Sequence, residues 1–162
     1  SLAYVPDNPD LYEYLTGIQY LEFIADIFQV PKDKRETRIK EYSQLFEIEH
    51  ALTDIISSYS HGMKQKLALI SAFIHSPKLI ILDEPFVGLD PKAAFTLKAV
   101  MRDFVKNGGS IFFSTHVLEV AEKLCTQLAI LKDGQIIAQG KTEDIIGKQS
   151  LESFFMEVSN GE

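Results

Sequence analysis

The sequence has almost no cysteine, no long apolar run and no excess of basic charge, and each shortage closes off a class of protein. Cys125 is the single cysteine, so no intramolecular disulfide can form and a reducing compartment is expected. Cys125 itself reads as a small buried residue in a helix. A bilayer-spanning helix needs about 20 apolar residues; the longest such stretch, LALISAFI at 67–74, is short and contains Ser71. The opening SLAYVPDNPD lacks a basic region followed by an apolar core, so it does not read as a signal peptide. The 16 Lys and Arg against 23 Asp and Glu leave a net charge of -7. That balance speaks against nucleic acid as a partner, because phosphate backbones are bound by clustered cations. A cytoplasmic chain is expected. No G-x-x-x-x-G-K-[ST] phosphate loop occurs either, and neither GIQYLE nor GKQS can cradle a β-phosphate.

What is present fits one globular domain or part of one. The 162 residues, 46% apolar and 24% charged, are enough to bury well over half of the unfolded surface. LAYV at 2–5 reads as a strand that stops at Pro6, and DNPD at 7–10 as a turn. Thr16 and Gln19 form a capping box before a helix with Ile18, Leu21, Ala25 and Phe28 on one face. Pro31 starts the next helix. Its run KDKRETRIKE reads as a solvated face and gives way to Ile39, Tyr42, Leu45 and Phe46. A third helix, about His61 to His75, turns Met63, Leu67, Ile70 and Ile74 inward, so residues 9–76 read as all-helical.

After Pro77 the period changes. LIIL at 79–82 reads as a strand buried on both faces of a parallel sheet. Asp90 caps a helix that begins at Pro91, with Ala94, Leu97, Met101 and Phe104 inward and Asn107, Gly108 and Gly109 at its end. SIFFS at 110–114, the helix HVLEVAEKLC, the strand LAILK and a turn at Asp133–Gly134 into QIIAQ complete the alternation. An α/β fold follows, and ligands of such sheets sit at the carboxyl ends of the strands. Asp83, Glu84, Thr115 and His116 fall at such ends.

A carboxylate at a strand end can hold Mg²⁺ directly or through water, and a second can orient an attacking water. Asp83 and Glu84 in LIILDEP suit that pair of roles, and an acidic solvent-facing turn is the plainer alternative. Upstream, YSHGM at 59–63 sets Ser60 and Gly62 at a helix start, where free amides and the helix dipole favour a phosphate. Alone it is an ordinary N-cap. GLDP at 88–91 and STH at 114–116 then follow in order.

With these four stretches the chain resembles the nucleotide-binding domain of ATP-binding cassette (ABC) transporters. YSHGM resembles the signature motif, LIILDEP the Walker B strand and its glutamate, GLDP the D-loop, and STH the switch histidine. YVPDNPDLYEYLTGIQYLEF is similar to the Q-loop and the start of the helical subdomain, and LKDGQIIAQGKTEDI to the hairpin and helix after the switch. The implied fold is a partial RecA-like P-loop NTPase sheet with an inserted all-helical subdomain. Its parts would be a Q-loop strand and linker at 1–8, the helical subdomain at 9–76, the core at 77–140 and carboxyl-terminal helices at 141–162. The implied activity is ATP hydrolysis with Mg²⁺, coupled to a transmembrane permease, at the inner face of the cell membrane. Asp83 would position Mg²⁺ through water, Glu84 would polarise the hydrolytic water and His116 would contact the γ-phosphate. Ser60, His61, Gly62 and Met63 would complete the ATP site of a second nucleotide-binding domain, in a homo- or heterodimer. Asp90 would link the two sites.

Three departures stand out. Tyr59, His61 and Met63 replace the usual leucine, glycine and glutamine of the signature, a form similar to exporter-type (ABC-2-like) members. Asp7 stands at the Q-loop glutamine position. The phosphate loop is missing, so the chain is expected to be the carboxyl-terminal part of a longer ATPase and inactive alone. In the family's sheet the strand into that loop lies between the switch strand and the later strand, so SIFFS and LAILK are expected to carry unpaired edges. A twin-cassette ribosomal ATPase and a chromosome-maintenance ATPase are alternatives. The acidic balance and the LYEYLTG form weigh against the first, and the lack of long heptad helices against the second. A non-catalytic helical docking module is a third. His50 and His75 have no partner ligands at suitable spacing and read as loop and helix-end residues.

Overall fold

The computed structural model describes residues 1–160; Gly161 and Glu162, the last two positions of the expected carboxyl-terminal helical segment, lie outside the described residues. The chain forms two compact units, residues 1–114 and the segment from residue 115 onward. In the first, strand β1 (Leu2–Val5) precedes helices α1 (Gly17–Ile27) and α2 (Lys32–Leu45), two 3₁₀ turns (Glu49–Ala51 and Ile56–Ser58) and helix α3 (His61–Phe73). Strand β2 (Leu79–Asp83), helix α4 (Pro91–Lys106) and strand β3 (Ser110–Ser114) follow.

The three strands pair in parallel in the order β1-β2-β3, with Val5 opposite Leu82 and Asp83 opposite Ser114. Their carboxyl ends therefore share one edge. Helix α3 packs against β1 and α4 against β3. Ala3, Val5, Ile80 and Leu82 are buried, while Leu2, Tyr4, Leu79 and Phe112 on the other face are exposed. LIIL is thus not buried on both faces. Side chains alternate across a pleated strand: Ile80 and Leu82 lie on the buried face, while Leu79 lies on the opposite, exposed one. Among the described residues β3 pairs with β2 alone.

Helix α1 begins with the expected capping box. Thr16 Oγ1 accepts from the Gln19 amide at 3.2 Å, and Gln19 Oε1 accepts from the Thr16 amide at 2.9 Å. Its buried face is Gly17, Tyr20, Leu21 and Ala25. Phe28 is exposed beyond the helix end and stacks on His75 with ring centroids 3.6 Å apart, so the expected face is rotated by about a residue. Within the charged run of α2, Arg35 is buried: its guanidinium meets Glu22 at 2.8 Å and Asp26 at 2.7 Å on α1 and donates to the Val30 carbonyl. That run is not solvated throughout, because two carboxylates on a neighbouring helix pair with one of its cations. Leu45, expected inward, is exposed. In α4 the cap at Asp90 is present, and the buried positions are Ala93, Leu97, Val100 and Met101.

The second unit holds helix α5 (Leu118–Leu124), strands β4 (Gln127–Lys132) and β5 (Gln135–Lys141), and helices α6 (Thr142–Ile146) and α7 (Leu151–Asn160). β4 and β5 form an antiparallel hairpin, and among the described residues β4 pairs with β5 alone. Asp133 and Gly134 both have positive φ, 51° and 76°, the backbone of a two-residue primed turn. Cys125 ends α5 half-exposed, and burial raises its thiol pKa.

Tyr59, at the position where the signature it resembles has leucine, is buried, and its hydroxyl donates to the Ala51 carbonyl. That hydroxyl occupies the space where a Cβ at Gly17 would lie, and Leu52 Cα and Cδ2 would sit 3.3 Å from the same atom. Gly17→Ala is therefore expected to destabilise the unit by about 1–3 kcal/mol through overpacking. In urea titrations, Gly17→Ala and Tyr59→Phe should combine non-additively, since removing the hydroxyl relieves the clash; strict additivity would exclude it as the cause.

Candidate functional site

Asp83 closes β2, and its Oδ1 accepts from Ser114 Oγ at 2.5 Å across the β2–β3 pair. The next residue, Glu84, leaves the strand with φ of 48°, a left-handed conformation that non-glycine residues rarely adopt. Its amide is held by both the carbonyl and the hydroxyl of Ser114, each at 3.2 Å, and its carbonyl accepts from the Val87 amide at 3.2 Å. One serine on a neighbouring strand thus binds both acidic residues. Sequence reasoning gave Ser114 no role of its own, because the signal is a strand register, Asp83 opposite Ser114, rather than a motif.

The start of α3 lies against the same loop. Ser60 is the N-cap, and its hydroxyl accepts from the Met63 amide at 3.2 Å. The amides of His61 and Gly62 belong to the first turn, where a helix has no internal acceptors for them. Gly88 has φ of 81°, and a Cβ there would come within 2.6 Å of His61 Cδ2. A Cβ at Gly62 would come within 3.0 Å of the Gly88 carbonyl oxygen. Bare backbone at both positions permits this approach, and it leaves room for an imidazole where the signature usually has glycine. Gln65, fully buried on α3, donates from Nε2 to the Pro85 carbonyl at 3.1 Å. Sequence reasoning missed it too.

The other expected residues are placed as follows. Asp90 Oδ1 accepts from the Ala93 amide at 2.8 Å, capping α4. Asp7 is exposed in the bend after β1, at the same edge as Asp83. His116 is exposed, two residues past the end of β3, and belongs to the second unit. The structure brings Asp83 and Glu84 together with Ser114, and Ser60–Met63 together with the loop to Asp90. His75 stacks on Phe28, and burial, with the Arg38 charge second, pulls its pKa down to about 4.

Among the described residues no group of three or more His, Cys, Asp or Glu side chains could hold a metal ion. One carboxylate with a hydroxyl beside it does not make an all-protein cage. It does fit Mg²⁺, which keeps several waters and takes one or two carboxylates together with phosphate oxygens. Two surface depressions, of about 450 Å³ beside Cys125 and Thr142 and about 260 Å³ beside Ile39 and Ser43, are lined by residues other than the acidic pair. Among the described residues no helix is long and apolar enough to cross a membrane.

A family model described as "AAA domain, putative AbiEii toxin, Type IV TA system" matches residues 4–122. The ABC-type transporter ATP-binding protein EcsA of Bacillus subtilis is 38% identical over 145 residues, 90% of this chain and 59% of that protein. The uncharacterized ABC transporter ATP-binding protein all4389 of Nostoc sp. is 34% identical over 163 residues, 99% of this chain and 48% of that protein. This chain therefore spans about half the length of the curated relatives it matches. A solved ATP binding subunit of an ABC transporter superposes with a TM-score of 0.93 at 35% identity, covering 98% of this chain and 68% of that one. CbiO1 of Clostridium perfringens, part of the ABC transporter complex cbiONQ, superposes with a TM-score of 0.72 at 25% identity over 91% of this chain and 60% of that one. The parallel sheet is accordingly that of a RecA-like P-loop ATPase, and an ordered set of four motifs, a matching fold and shared sequence over nearly the whole length agree: the chain belongs to the ATP-binding subunits of ABC transporters.

Proposed function

We propose that this chain carries the signature and Walker B half of an ATPase that couples ATP binding and hydrolysis to substrate movement by a membrane permease. The reading rests above all on the acidic pair at the carboxyl end of β2, held by Ser114 beside the start of α3. In it, Glu84 orients a water for in-line attack on the γ-phosphate and accepts its proton. The bond between the γ-phosphorus and the bridging oxygen breaks, and ADP and phosphate leave. Asp83 would hold Mg²⁺, through water, and the ion would supply positive charge that stabilises the transferring phosphoryl group. His116 contacts the γ-phosphate and the same water. No protein nucleophile takes part.

Ser60 and the first turn of α3, through His61, Gly62 and Met63, face the triphosphate held by a second nucleotide-binding domain, in a head-to-tail homo- or heterodimer. Exposed amides and the positive end of the helix dipole suit an anion there. Asp90 joins the two sites, and Asp7 takes the Q-loop position. We assign residues 1–8 to the Q-loop strand and linker, 9–76 to the helical subdomain, 77–140 to the core and 141–162 to carboxyl-terminal helices. The subunit works at the inner face of the cell membrane, peripherally, through its permease. Tyr12 and Tyr14, 48% and 74% exposed, touch each other's rings, and Phe23 packs edge-on against Tyr12. These aromatics suit a groove for a short permease helix, whereas Tyr20, 8% exposed, serves the core and Leu15 is half-buried.

In a full-length ATPase carrying this sequence, Glu84→Gln should keep ATP binding and trap a nucleotide-bound dimer while turnover falls by about two orders of magnitude or more. Near-normal phosphate release would move the base elsewhere, His116 being the next candidate. Titration calorimetry of the 162-residue chain with Mg²⁺ and ATP should give weak binding and no phosphate release, since the sequence offers no phosphate-loop amides or lysine. Micromolar affinity, or release that Glu84→Gln abolishes, would mean a complete site within this chain. Tyr12→Glu and Tyr14→Glu should leave ATPase activity in place and uncouple it from transport; unchanged transport in both would misplace the docking surface.

A further inference from the structure

Gln65 lies in the second turn of α3 with no exposed surface. A side-chain amide has two donor hydrogens and an acceptor oxygen. Here Nε2 donates to the Pro85 carbonyl, and Oε1 is buried with no hydrogen-bond partner among the described residues. A buried oxygen left unpaired opposes folding, and leucine or methionine of similar volume would fill the site without that penalty. Packing does not account for an amide at this position, whereas the hydrogen bond to Pro85 does.

Pro85 follows Glu84, whose left-handed backbone persists only if its surroundings hold it. The peptide on the amino side of Glu84 is fastened by Ser114 of β3 through the Glu84 amide. The peptide on the carboxyl side carries the Glu84 carbonyl, which accepts from Val87, and the carbonyl one residue further is the one Gln65 grips. The strand edge and α3 therefore hold the backbone on the amino side and on the carboxyl side of Glu84 respectively. At the other end of the loop, α3 abuts it again, with Gly62 against the Gly88 carbonyl and His61 over Gly88.

We propose that Gln65 is a positioning residue for Glu84, fixing the backbone that aims its carboxylate and tying that aim to the placement of the first turn of α3. This assignment rests on reading Glu84 as the residue that orients the attacking water. It also gives the intact dimer a coupling within each subunit: whatever anion engages the start of α3 acts on the same helix that holds the Pro85 carbonyl, one peptide beyond Glu84.

Gln65→Met removes the donor at nearly constant volume. In a full-length ATPase carrying this sequence it should lower kcat between about tenfold and a hundredfold, the scale of a small misplacement at a reacting group, with KM for ATP within about twofold of wild type. Gln65→Glu separates donation from packing. A buried carboxyl is pushed towards its protonated, donating form, so this variant should approach wild-type turnover near about pH 6 and lose it by about pH 9. Gln65→Met should instead follow the wild-type pH profile at a lower level. Hydrogen exchange in the same variants should show faster exchange of the Val87 amide, with the amides of Leu69–Phe73 unchanged. Wild-type kcat in Gln65→Met, while Glu84→Gln abolishes hydrolysis, would overturn the role of Gln65 alone. Wild-type turnover in Glu84→Gln would overturn the reading of Glu84, and the Val87 exchange would still report whether Gln65 holds the loop. Loosening of all α3 amides in Gln65→Met, with no pH-dependent recovery in Gln65→Glu, would reduce Gln65 to a stabilising residue.

Discussion

Strand β2 is hydrogen-bonded in parallel on both edges, to β1 and to β3, and the placement of the acidic residues depends on that pairing. Parallel pairing brings carboxyl ends to one side, so Asp83, Glu84 and the bend at Asp7 share an edge although Asp7 is far from them in the chain. Register does the rest. Because Asp83 stands opposite Ser114, one hydroxyl can donate to its carboxylate while the same oxygen, with the Ser114 carbonyl, accepts from the Glu84 amide. A slip by one residue would turn every strand side chain to the other face. It would remove Ser114 from Asp83 and expose Ile80 and Leu82.

The loop after β2 then has two fixed ends. Asp90 ends it by capping α4, and Glu84 begins it in a backbone region that is unfavourable for a side chain. Between them, bare backbone at Gly88 and Gly62 allows α3 to come close enough for His61 to lie over the loop and for Gln65 to reach Pro85. The signature variants follow the same logic. His61 uses space that Gly88 vacates, and Tyr59 uses a buried hydroxyl to satisfy the Ala51 carbonyl while Gly17 makes room for it. Two of the three unusual residues, Tyr59 and His61, are thus each matched by a glycine elsewhere in the chain.

Local elements were legible in the sequence to the extent that their determinants are local. Thr16 with Gln19, Asp90 with Pro91, and Asp133 with Gly134 act within three residues, and each forms the cap or turn its chemistry implies. Burial was less legible. LIIL looks apolar throughout, yet Leu79 is exposed because exposure depends on which sheet face the helices cover. Arg35 sits in a run of charges that reads as solvated. It is buried because α1 presents Glu22 and Asp26 at a matching height.

The sequence by itself determined the family, since the ordered stretches that resemble the signature, Walker B, D-loop and switch are contiguous strings that need no partner to be recognised. It also determined the strand and helix order, because the change from helical to extended period after Pro77 is written into neighbouring residues. Only the tertiary structure decided that Ser114 binds both acidic residues, that Gln65 rather than a leucine lies beneath Pro85, and that Tyr12 and Tyr14 face outward while Tyr20 does not. The first two are relations between residues 20 to 31 positions apart. Register and helix approach set them, and no local periodicity encodes either.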